Sequence, residues 1–140
     1  ENAASYNIFG NGSQGTGLNA EESGQPDGSN EIMFGSIAEA NVIAVTITWG
    51  YYSGPPRTRE IVEWDQIYDQ SDFSWSLTAE LGKMDVDNIA THENGHAAGL
   101  GHTSLDTSCE PETMYPYASE GETSKRSLGV GDIAGINKLY

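Results

Sequence analysis

The chain has 140 residues, 21 of them acidic and only 6 basic, and a formal charge of −15. That length suits one domain around one hydrophobic core, so residues 1–140 are read as a single domain. The charge excludes partners that present phosphates, nucleic acid and anionic membrane surfaces among them, because no Lys/Arg cluster compensates for the repulsion. No apolar run approaches the roughly 20 residues needed to cross a bilayer. The acidic excess reads first as a solvated, repulsive surface and second as a source of calcium ligands. Cys109 is the single cysteine, so no internal disulfide can form, although a cysteine on another chain could pair with it.

Residues 1–30 are rich in Gly, Ser and Asn, which supply turns and loops. Short strands are predicted over Ala4–Phe9 and Glu31–Phe34. The clearest strand is Val42–Trp49, where Ile43, Val45, Ile47 and Trp49 alternate with Ala44, Thr46 and Thr48. Gly54-Pro55-Pro56 turns the chain, and a further strand follows over Ile61–Asp69. The period then changes. Asp85 or Asp87 can cap a helix that runs from Val86 to Gly99. Residues 101–129 read as irregular, and a last helix starts at Asp132 with Ile133, Ile136, Leu139 and Tyr140 on one side. Strands first and helices later predict an α+β domain.

All three histidines fall inside His92-Glu93-Asn94-Gly95-His96-Ala97-Ala98-Gly99-Leu100-Gly101-His102. His92 and His96 are one helical turn apart, so both rings leave the same face and can bind one metal ion. Glu93 points in a neighbouring direction, suited to hydrogen-bonding a metal-bound water without occupying the metal. Gly99 can take a positive φ, which ends the helix and turns the chain so that His102 approaches as a third ligand. Three protein ligands plus water is the open arrangement of a catalytic zinc site. A pair of helical histidines alone would be weak evidence, since either could be an ordinary core residue; the full pattern is specific.

His-Glu-x-x-His-x-x-Gly-x-x-His followed by a Met-containing turn resembles the signature of the metzincin zinc peptidases. The matching turn is Glu112-Thr113-Met114-Tyr115-Pro116. Thr103 after the third histidine, Met114-Tyr115-Pro116 and the ending Gly131-Asp132-Ile133-Ala134-Gly135-Ile136 are most similar to the matrixin branch, with the resemblance running from about Val42 to Tyr140. It implies a metzincin-like domain: a twisted, mostly parallel sheet with an antiparallel edge strand, an active-site helix and a C-terminal helix. It implies a secreted, extracellular endopeptidase with one catalytic Zn2+ on His92, His96 and His102, and Glu93 as general base toward a zinc-activated water. Met114 would be a packing floor beneath the metal. An extended polypeptide substrate would pair with the edge strand containing Val45 and Ile47, beside a pocket wall of Tyr115, Pro116 and Tyr117.

Several positions depart from the family pattern. Tyr115 directly follows Met114, which argues against a tyrosine ligand, and Pro116-Tyr117-Ala118 stands where relatives more often have Pro-x-Tyr. Gly131 replaces the first Asp of a usual Asp-Asp pair. Asp69 and Asp72 lie near where relatives place calcium ligands, with a turn after a strand as the competing reading; the Asp27–Glu31 loop is a weaker calcium candidate. No long amphipathic helix is visible in residues 1–30, so the N-terminal part of such a domain is expected to be lacking. The uncovered sheet face is then expected to be covered by a processed N-terminal fragment, another chain or a second copy. The competing function is a non-catalytic metal-binding structural or interaction module that retains the fold.

Overall fold

The computed structural model describes residues 8–20 and 24–140, and its contacts divide into two compact units. The first unit, Gly15–Phe73, is built on a three-stranded sheet of β1 (Glu31–Gly35), β2 (Ala44–Tyr51) and β3 (Glu60–Asp69). The order is β1-β3-β2, with β1 parallel to β3 and β2 antiparallel to it. β2 is therefore the antiparallel edge strand. Alternation decides which side chains go inward. Val45 lies opposite Ile67 in the register. Both join Met33, Val42, Ile47, Ala20 and Ile37 in one apolar cluster. Burying Ile67, 6% exposed, contributes about 1.5–3 kcal/mol. The opposite side of β1 leaves Ile32 and Phe34 48% and 44% exposed.

The pairing shifts register between Trp49 and Gly50, where a Cβ would lie 2.2 Å from the Glu60 carbonyl oxygen, so the close approach of the two backbones requires glycine. The acidic residues of this unit act as caps for the loops. Glu63 accepts the N–H groups of Asp27 and Gly28, and Asp65 accepts that of Glu31 at 2.9 Å. Burial, reinforced by the carboxylates of Glu31, Glu63 and Asp27, pushes Asp65 above the usual carboxylate range.

The second unit comprises Ser74–Tyr140 and the described part of the segment up to Gln14. It holds a two-residue parallel pair, β4 (Trp75–Ser76) and β5 (Met84–Asp85), then helix α1 (Val86–Ala97) and helix α2 (Val130–Leu139). Asp85 is the residue that caps α1, accepting the Asn88 N–H at 3.0 Å. Its buried carboxylate also takes two bonds from Arg126, Nε to Oδ1 at 2.8 Å and Nη2 to Oδ2 at 2.6 Å. The guanidinium holds Asp85 below the usual carboxylate range. α2 begins two residues before the predicted Asp132. The cap position is Gly129, and Asp132 reaches back from the first turn to accept the Gly129 N–H at 2.8 Å.

The α+β reading holds, with strands at Glu31–Phe34, Val42–Trp49 and Ile61–Asp69 displaced by at most two residues at an end. In the Ala4–Phe9 prediction, residues 4–7 lie outside the described residues, and Ile8 and Phe9 are not strand. Among the described residues no helix precedes β1, and none is long and apolar enough to cross a membrane.

Candidate metal centre

α1 places His92 and His96 on one face because they are four residues apart on a regular helix. The helix then ends in a Schellman turn. Leu100 N–H donates to the Gly95 carbonyl at 2.9 Å and Gly99 N–H to that of His96 at 2.8 Å, with Gly99 at φ 90°. That reversal brings His102 back: its Nε2 lies 3.2 Å from Nε2 of His92 and 3.1 Å from Nε2 of His96. Among the described residues these three form the one gathered group of three or more His, Cys, Asp or Glu donors.

The other ring nitrogens fix the chemistry. His92 Nδ1 lies 2.6 Å from the Thr113 carbonyl oxygen, and His96 Nδ1 lies 2.9 Å from that of Leu100. A carbonyl only accepts, so each Nδ1 carries the proton and each Nε2 presents a lone pair. Burial pushes His92 down to about 4, which keeps its ring neutral, and burial also lowers His102. Nε2 of His102 faces both lone pairs from 3.1–3.2 Å, and a cation between the three nitrogens would satisfy all of them at once. Tetrahedral zinc with Zn–N near 2.0–2.1 Å would set its nitrogens roughly 3.3 Å apart, so this donor set fits that ion. Glu93, 4% exposed, follows His92 on the same helix.

Beneath the histidines lies the turn containing Met114, 2% exposed. A Cβ at Gly95 would fall 2.2 Å from Met114 Sδ, so the helix touches the turn through bare backbone one residue before His96. Met114 thus packs against the helix that carries His92 and His96. Gly95→Ala is expected to overpack this contact and destabilise the protein by about 1–3 kcal/mol. Thermal melting of the zinc-loaded protein checks it, and an unchanged midpoint would show that Met114 moves aside freely.

The turn is held from α2. Asp132, 3% exposed, accepts the N–H groups of Thr113 at 2.6 Å and Met114 at 3.2 Å. Glu112 returns the interaction, accepting the N–H groups of Gly131 and Asp132 at the start of α2. Thr113 therefore offers its carbonyl to His92 and its N–H to Asp132. Neither Asp132 nor Thr113 was marked as a site residue by spacing, because their partners lie 19 to 21 residues away.

Tyr115 and Tyr117 stand edge to face with ring centres 5.8 Å apart. Both line a cavity of about 410 Å³ together with Glu110, Ala118, Ser119, Glu122 and Ser124, whereas Pro116 does not line it. Val45 and Ile47 lie on β2 with their side chains in the first unit's apolar cluster. The edge strand can thus offer a ligand its backbone more readily than these side chains. Asp69 is buried and its Oδ1 accepts the Ser71 N–H at 2.8 Å, while Asp72 is exposed. Cys109 is half-buried with a free thiol.

The chain has relatives among known proteins. The chain is similar to metalloendoproteinase 1-MMP of Arabidopsis thaliana, 44% identical over 57 residues, which is 41% of this chain and 14% of the relative. It is similar to matrilysin of Rattus norvegicus, 48% identical over 52 residues, covering 37% of this chain and 18% of the relative. Metalloendoproteinase 5-MMP of Arabidopsis thaliana is 32% identical over 95 residues, covering 66% of this chain and 25% of the relative. The chain thus spans a quarter or less of the length of these relatives. A family model described as matrixin matches residues 13–140, so nearly the whole chain, the three histidines and Met114 included, belongs to the matrixin family.

Proposed function

We propose that the chain is the catalytic part of a zinc endopeptidase that cleaves extended polypeptides, exported to the cell exterior. The observation that carries this reading is the convergence of three imidazole Nε2 atoms, two of them presenting lone pairs because their Nδ1 atoms face carbonyl acceptors, with buried Glu93 next to His92 in the helix. Zinc bound there supplies Lewis acidity, lowering the pKa of water toward about 7 and polarising a carbonyl oxygen. Nε2 of His92, His96 and His102 would hold it. Glu93 takes the proton of the attacking water and returns it to the leaving amine, so one carboxyl group serves as base and then acid. Burial supports that role by keeping bulk water from competing for the proton. Val45 and Ile47 mark the edge of β2 as the strand to which a substrate backbone adds, and Tyr115, Pro116 and Tyr117 as the wall receiving a substrate side chain. A calcium ion at Asp69 and Asp72 belongs to the same reading, supported by one carboxyl group at the end of β3 and another in the turn that follows it.

The test is a quenched-peptide assay with and without a zinc chelator, run beside a metal determination. About one zinc per chain and cleavage that stops on chelation support the proposal. Bound zinc without cleavage of any peptide would instead make this a metal-binding module that retains the fold.

The exposed Ile32 and Phe34 support a further part of the reading, that an N-terminal fragment, another chain or a second copy covers β1. Light scattering is expected to give a mass above that of one 15.0 kDa chain, and a stable monomer with no bound fragment would refute it.

A further inference from the structure

We infer that Lys125 is a positioning residue for substrate specificity, a buried cation that fixes the Tyr115–Tyr117 wall to the metal-binding helix. The inference rests on the peptidase reading for its functional meaning, but the clamp itself is independent of turnover.

Lysine is rarely buried, yet Lys125 is 2% exposed. It sits in a 3-10 turn over Ser124–Arg126. Its Nζ donates to the carbonyl oxygens of both Tyr115 and Tyr117, the latter at 2.7 Å, and lies 5.8 Å from the centre of the Tyr115 ring. Its own N–H donates at 2.7 Å to Oδ1 of Asn88. Asn88 is itself 1% exposed and lies on α1 four residues, one turn, before His92. One residue therefore joins the helix that carries two metal ligands to two alternate carbonyls of the pocket wall.

The choice of carbonyls matters. Tyr115 and Tyr117 flank Pro116, whose nitrogen has no hydrogen to donate, so this stretch cannot anchor itself through a regular backbone ladder. Tyr117 is 64% exposed and has little packing to hold it. A charged donor shared by both carbonyls sets the spacing of the two rings and thereby the mouth of the 410 Å³ cavity. Burial lowers the lysine's proton affinity, while the carboxylates of Glu122, Asp132 and Glu93 favour the cation.

Lys125→Met keeps the apolar stem and loses both Nζ hydrogen bonds, while the backbone N–H can still reach Asn88. The first measurement is kcat/KM on sets of peptides that differ only in one residue flanking the cut, on either side, in zinc-loaded protein. The ratio between best and worst residue is expected to fall by about tenfold or more with zinc stoichiometry unchanged. The second is amide hydrogen exchange, which needs no substrate. The N–H groups of Ser119, Gly121 and Glu122 are bonded in the segment that follows the wall, and their exchange is expected to rise by about tenfold while that of α1 stays as in the wild type. A variant with wild-type selectivity and wild-type exchange overturns the inference. If Lys125→Met does not fold, Lys125→Gln, which keeps one shorter donor, is measured in the same way. Failure of both to fold would make Lys125 a stability element and also overturn it. A wild-type chain that cleaves no peptide defeats the peptidase reading instead, and the exchange data alone then decide whether Lys125 clamps the wall.

Discussion

Glu93→Gln is expected to lower peptide cleavage by about 10²–10⁴-fold while leaving one zinc bound per chain. Glutamine has the volume of glutamate, so the buried position beside His92 stays filled. It cannot take a proton from water at neutral pH, so the base is lost without a cavity being made. The metal donors do not depend on Glu93: His92 is oriented by the Thr113 carbonyl and His96 by the Leu100 carbonyl. Activity and metal binding should thus separate. A chelator titration beside the peptide assay reads both. Activity within about tenfold of wild type would remove Glu93 from the mechanism, and loss of zinc together with activity would make it a structural support. A chain that was only a binding module would show no difference between the two proteins in any assay of turnover.

The separation follows from how the site is written into the chain, and the same fact explains what could be read in advance. The metal ligands are local. His92 and His96 are a helical turn apart, and the Schellman turn at Gly99 is compact enough that His102 needs only three more residues to return. Helical period and glycine chemistry are both visible in a linear sequence, so the donors were legible. So were the strands with strict alternation. What holds the donors in place was not. Asp132 reads only as the start of the last helix, and its actual work is done on N–H groups 18 and 19 residues earlier. Lys125 and Arg126 carry no periodic signal, and adjacent as they are, Arg126 reaches Asp85 while Lys125 is buried under the wall. The two-residue strands β4 and β5 are too short for any period to register. α2 begins two residues before Asp132 for a related reason: a glycine, which leaves little mark in the sequence, occupies the cap, and the Asp serves it from within the first turn. Contacts that close across tens of residues leave no periodic mark, and the support of a site is made mostly of such contacts.

Asp132→Ala tests that support directly and is expected to be the most destabilising single change outside the histidines. The carboxylate is buried and accepts three backbone N–H groups, from Thr113, Met114 and Gly129. Alanine leaves them unmatched in a site with little access to water, at about 1–3 kcal/mol for each donor left without a partner. Two or three such losses approach the whole stability of a small domain, about 5–15 kcal/mol. Thermal or denaturant melting should therefore show a large fall, with part of the chain unfolded at 37 °C. A second effect reaches the metal. Thr113 is the residue whose carbonyl orients His92, so once its N–H is released the ring loses its fixed tautomer and direction. Zinc affinity, measured by competition with a chelator below the melting range, is expected to drop about 10–100-fold. Asp132→Asn, which keeps one acceptor oxygen but turns an amide donor toward other donors, should fall between wild type and alanine in both measurements. A variant that melted early yet held zinc as tightly as wild type would show that His92 is oriented by the helix alone; wild-type melting would remove Asp132 from the support of the turn altogether.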